Sequence, residues 1–110
     1  MPAQKLNALQ QTLDSAIAEW PGVHSKSIFG HRGYVLGGKM IGFLADEGVA
    51  VKVPGPEIDA AYAIDGVVPF AYGEHEMRGW PVLPLRNDDE LSSALSALEQ
   101  TSARISQGEL

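Results

Sequence analysis

A chain of 110 residues with 45% apolar side chains can bury one domain core and is too short for two. Fourteen acidic against eight basic side chains give a net charge of −6 and a pI near 4.8, which works against non-specific nucleic-acid binding, since that depends on neutralising phosphates. With no cysteine, disulfides, thiol nucleophiles and thiolate metal sites are excluded.

The first twenty residues hold Leu6, Leu9, Leu13, Ala16, Ile17 and Trp20 at the i, i+3, i+4, i+7 spacing of one helix face. Trp20-Pro21-Gly22 ends that helix, because the residue before proline avoids the helical region. His24–Phe29 reads as a link to a meander of three antiparallel strands, Tyr34–Leu36, Lys39–Ala45 and Val49–Val53. Gly37-Gly38 supplies the positive φ of a tight hairpin turn, and Asp46-Glu47-Gly48 suits a three-residue loop with glycine in the left-handed position. Lys39–Ala45 is nearly all apolar, as a strand covered on both faces would be. Pro54-Gly55-Pro56 stops the third strand, and a short helix over Glu57–Ile64 follows.

Val67–Tyr72 and Glu76–Leu85 read as two further strands around a Gly73-Glu74-His75 turn, with Pro81 and Pro84 making the last one irregular or an edge. Asn87, with Glu90 three residues on, signals the start of a helix carrying Leu91, Ala94, Leu95, Leu98 and Ile105, and 106–110 reads as a flexible tail. The predicted order is α-β-β-β-α-β-β-α: an α+β fold in one domain spanning 1–110, its antiparallel sheet covered by helices mainly on one face. The opening MPAQKLNALQQ has no charged-then-apolar leader and no apolar run approaches the ~20 residues that span a bilayer, so a soluble cytoplasmic protein without a membrane partner is expected.

Charge is unevenly spread. Residues 1–19 sum to −1, residues 20–45 to +3 through Lys26, Arg32 and Lys39, and residues 46–110 to −8. The basic island, with His24 and His31 inside it, begins the meander.

Ile28-Phe29-Gly30, Gly33-Tyr34, Gly38-Lys39-Met40, the Gly48–Val53 strand with Lys52, Pro69-Phe70-Ala71-Tyr72 and Met77-Arg78-Gly79-Trp80 together resemble the TfoX N-terminal-like domain family. Their order and spacing agree over most of Ile28–Ile105. Ile28 stands where that family has methionine, and His31-Arg32 where it has a second glycine. The resemblance implies a small α/β domain of the same element order, similar to secretion-chaperone-like folds, with no catalytic residue to carry over. Longer relatives, implicated in natural-competence regulation, continue into a C-terminal domain with a helix-hairpin-helix look, and this sequence stops where that part would start. YjbR/MmcQ-like proteins and a luciferase-like domain family are further resemblances of similar fold.

Several groups are weighed as sites. Gly30-His31-Arg32-Gly33 can be a backbone concavity for a phosphate, aided by Arg32 and Lys39, or two glycines that let the chain turn into a strand. No helix follows, so dinucleotide and P-loop readings fail on context. His24, His31 and His75 with Glu74 or Glu76 match no compact metal motif. Ser25 and Ser27 lack a nucleophile elbow, and Asp88-Asp89-Glu90 is explained by a helix start. Lys52 interrupts a valine-rich strand and either meets an acidic group or pairs with an acid such as Glu57. Phe70, Tyr72 and Trp80 belong to the core or to an interface.

The expected function is a non-catalytic protein-interaction or regulatory domain that forms a homodimer and needs no cofactor or metal, using Gly30, His31, Arg32, Gly33, Lys39, Lys52, Arg78 and Trp80. Two alternatives stand beside it. One is weak, salt-sensitive nucleic-acid association through the basic island 24–39. The other is a small-molecule binder or enzyme with a pocket near Gly30–Gly33, Lys52 and Arg78.

Overall fold

The computed structural model describes residues 5–28 and 30–108. Its elements are α1 (Ala8–Ile17), β1 (Val23–Ile28), β2 (His31–Leu36), β3 (Lys39–Ala45), β4 (Gly48–Val51), α2 (Ile58–Tyr62, entered through a 3-10 turn at Gly55–Glu57), β5 (Val68–Tyr72), β6 (His75–Leu83) and α3 (Asp88–Ser106). The six strands form one antiparallel sheet in the order β1-β2-β3-β4-β6-β5. No helix among the described residues is long and apolar enough to cross a membrane.

The α+β class and the one-sided helical cover agree with the sequence reading, but the sheet has one strand more. The segment read as a link is β1, paired over its whole length with β2 from Val23↔Leu36 to Ile28↔His31. Phe29 lies outside the described residues. Of the tail expected over 106–110, Ser106 is the last residue of α3, and 109–110 lie outside the described residues.

Turn chemistry sets the register. Gly37 and Gly38 have φ of 59° and 81° and close the two-residue hairpin Leu36↔Lys39. The next turn departs from expectation: Ala45 pairs with Gly48, so it holds two residues, and its left-handed residue is Asp46 at φ 51°. Gly48 is needed for room, since a Cβ there would lie 2.2 Å from the Leu83 carbonyl oxygen.

The pairs Tyr34↔Gly42 and Val35↔Met40 leave Ile41 unpaired, a β-bulge in β3. Ile41 therefore turns to the helix side with Leu44, whereas Met40, Phe43 and Ala45 occupy the other side. The main core lies between sheet and helices, with Leu13 and Ile17 of α1, Leu91, Ala94 and Leu98 of α3, and Tyr34, Ile41, Leu44, Val49 and Val51 of the sheet. Gly42 lets α3 sit close: an added Cβ would be 2.7 Å from Leu98 Cδ2 and 2.6 Å from the Ala50 carbonyl oxygen. On the opposite face, Phe43, Ala45, Ala50, Phe70 and Val82 make a second cluster that no helix residue joins.

The two long helices, α1 and α3, are anchored at their starts. Asn7 and Gln10 form a reciprocal capping box, with Gln10 N donating to Asn7 Oδ1 at 2.8 Å and Asn7 N to Gln10 Oε1 at 3.1 Å. The Gln10 amide nitrogen also donates to the carbonyls of Asp46 (3.1 Å) and Gly48 (2.9 Å), pinning α1 to the β3–β4 turn. At α3, Asn87 Oδ1 accepts from Glu90 N at 2.9 Å. The Glu90 carboxylate does not close the box on Asn87; it accepts from Arg86 N at 2.7 Å and from the Arg86 guanidinium, which holds it below the usual carboxylate range. The same guanidinium reaches Asp65 Oδ2 at 3.3 Å, tying the loop before β5 to the start of α3.

Gly42→Ala and Gly48→Ala are each expected to destabilise the fold by about 1–3 kcal/mol, because backbone carbonyls block the new methyl group. Gly55→Ala, which meets nothing within 4 Å, is expected to be near neutral. Urea unfolding midpoints at constant m-value check this, and equal midpoints for all three variants would contradict it.

Candidate functional site

The register places every strand side chain on one of two faces, since directly opposed residues share a face and successive residues alternate. Phe43, Phe70 and Val82 mark the helix-free face. From the pairings, His24, Lys26, Ile28, His31 and Val35 lie on it toward the β1 edge, and Val68, Tyr72, His75 and Met77 toward the β5 edge.

The candidate residues divide between the faces. His31 joins the aromatic cluster, its ring centroid 5.8 Å from Phe43 and 5.5 Å, edge-on, from Phe70, and its Nδ1 lies 2.8 Å from the Leu44 carbonyl oxygen. The Trp80 ring lies 5.4 Å from Phe43, tilted by 46°, and Lys52 Nζ sits 5.3 Å from the Trp80 ring. The acid suggested for Lys52, Glu57, is bound instead by Arg104 of α3. His31, Lys52 and Trp80 thus share one side.

Arg32, one residue on from His31, turns to the helix side, where its Nε donates to Asp14 Oδ1. Tyr34 OH donates to the same oxygen at 2.8 Å. Arg78 lies 4.5 Å over the Tyr62 ring and 3.8 Å from Asp59, and its carbonyl accepts from Tyr62 OH at 2.9 Å. Lys39 stands in the β2–β3 hairpin opposite Leu36. The concavity suggested at Gly30–Gly33 does not form as one loop: Gly30 takes φ of 80°, whereas His31 to Gly33 are extended strand and Gly33 pairs with both Lys26 and Phe43. The pocket expected near Gly30–Gly33, Lys52 and Arg78 is therefore spread over two faces and a loop.

A cleft of about 240 Å³ does open on the helix side, between α1 and the β1–β2 edge. Ile17, Ala18 and Val23 form its apolar walls, and Asp14, His24, Ser25, Arg32 and Tyr34 its polar part. Burial, and then the hydrogen bond to the Asp14 carboxylate, push the Tyr34 phenol far above its ordinary range, while the Asp14 bond raises the Arg32 guanidinium. No group of three or more His, Asp or Glu suited to a metal ion occurs among the described residues. The sequence reading missed Asp14, because its partners lie 18 and 20 residues away. An aspartate three residues before the buried Ile17 on a helix edge was the available signal.

Tyr34 has a raised pKa in the folded state, so its contribution is complete below pH 10, where the unfolded phenol is also neutral, and is lost as pH rises above that value. Tyr34→Phe is expected to cost about 1 kcal/mol at neutral pH. It should also remove a loss of about 1.4 kcal/mol per pH unit on the alkaline side. Denaturation series on both sides of pH 10 measure this, and parallel curves for wild type and variant would exclude Tyr34 as the source. Compared with known proteins, the chain matches no family model, no curated protein and no solved structure.

Proposed function

We propose that this chain is a non-catalytic protein-interaction domain, of the regulatory kind the TfoX N-terminal-like resemblance implies, which self-associates in the cytoplasm through the β5–β6 half of its helix-free face. The observation that carries this reading is apolar exposure on a face without helical cover. Val68 and Tyr72 are 53% and 55% exposed, and the pairings Val68↔Val82 and Phe70↔Met77 put them beside Phe70, Met77 and Trp80. Contiguous exposed apolar surface beside aromatic side chains is what a docking surface offers. Lys52 is the cation of this half, and its place over Trp80 leaves the β5 edge apolar.

The same patch meeting itself across a two-fold axis gives a closed dimer without opposing charges on β5. Light scattering across micromolar concentrations should then give twice the 11.8 kDa chain mass. Val68→Asp with Tyr72→Glu, both at exposed positions, should return the mass to that of one chain without changing the circular dichroism. A wild-type protein that stays at the single-chain mass throughout would reject the reading.

A further inference from the structure

We propose that the outer edge of β1, which pairs with no strand among the described residues, is a second docking site, which takes an extended acidic segment of a partner protein as a seventh strand whose alternate side chains enter the cleft beside α1. This goes beyond self-association and uses the opposite edge of the sheet. Five strand spacings, about 24 Å, separate β1 from β5.

Three observations converge there. The first is the edge itself. β1 is the terminal strand, its six residues pair with β2 on one side, and the middle four are exposed. An edge strand presents a row of backbone donors and acceptors, and proteins commonly blunt it with proline or a bulge. β5, at the far edge, carries Pro69 and a register shift beside it, whereas β1 pairs without a shift and contains no proline.

The second is charge. His24 and Lys26 occupy the helix-free side of β1, and no carboxylate pairs with Lys26 among the described residues. Among the described residues, the acidic side chains lie on helices, turns and loops, save Glu76 on β6. Acidic side chains on an added strand would therefore meet cations at this edge, while basic ones would not find acids. A second copy paired β1 to β1 brings Lys26 and His24 of both chains together and is disfavoured.

The third is the cleft. Added strands recognise sequence through pockets that take every second side chain. Side chains on the helix side of the added strand would lie next to Val23 and Ser25, which line the 240 Å³ cleft with Ile17 and Ala18. Against its Ile17, Ala18 and Val23 walls the cleft takes a small aliphatic group, while Asp14, Arg32 and Tyr34, already bonded to one another, form its polar part. The ligand is thus a segment alternating acidic and small aliphatic residues.

The test uses a fluorescent peptide alternating glutamate and valine, a lysine–valine counterpart, and two glutamate–valine peptides N-methylated at all glutamates or at all valines. Anisotropy titrations should show binding of the glutamate–valine peptide only. Lys26→Glu should weaken that binding at least tenfold and create binding of the lysine–valine peptide. N-methylation of one alternate set should abolish binding and of the other leave it, because only every second N–H faces an antiparallel neighbour. Tyr72→Glu should leave the titration unchanged, which keeps this site separate from the self-association surface.

The proposal is overturned if the glutamate–valine peptide fails to bind at millimolar concentration, or if both N-methylated forms bind as well as the parent. It is equally overturned if an oligothymidylate of the same charge binds Lys26-dependently with the same affinity, which would make the edge a general anion surface.

Discussion

Where β3 passes beneath α3 there is no room for a methyl group. Gly42 brings a strand backbone, the Ala50 carbonyl and the Leu98 side chain into contact, and the adjacent bulge at Ile41 sends a second residue to the same side. An ordinary strand offers the helices one residue in two. Here the bulge lets Ile41 and Leu44 both face them, and the absent side chain at Gly42 brings the helix close enough to bury both. Without that approach the long last helix would stand off the sheet and leave cavities, which cores tolerate poorly.

Committing both long helices to one side has a chemical consequence for the other. Acidic residues concentrate on helices and turns, where they favour helix starts such as Asp88, Asp89 and Glu90 at α3. Lys26 and Lys52 are left on the bare face with Phe43, Phe70 and Trp80. Its middle is closed by its own rings, with Phe43 and Phe70 4.7 Å apart and edge to face. Its two margins differ: one apolar, the other cationic. A sheet of this kind offers two unlike surfaces without any loop devoted to recognition.

Much of the frame was legible in the sequence. Gly37-Gly38 specified a hairpin, the leucine spacing specified two amphipathic helices, and Asn87 marked the start of α3. β1 was not legible, because Val23–Ile28 is exposed at its centre, and a strand that buries so little shows no apolar alternation. Starting β2 at Tyr34 rather than His31 also hid the parting of His31 from Arg32, which strand alternation requires once the true start is known. The partners of Asp14, Lys52 and Arg104 are distant in sequence, and no local pattern encodes them.

One buried amide joins events that look separate. Gln10, 1% exposed, completes the cap of its own helix and also holds the carbonyls of Asp46 and Gly48, on either side of Glu47. Asp46 sits in the left-handed region, which costs a non-glycine residue energy unless its surroundings hold it there. Releasing that side chain therefore frays the first helix and relaxes the turn in one step. Amide exchange at the start of α1 and around residues 46–48 then proceeds as a single opening, with one shared rate where two independent ends would show two.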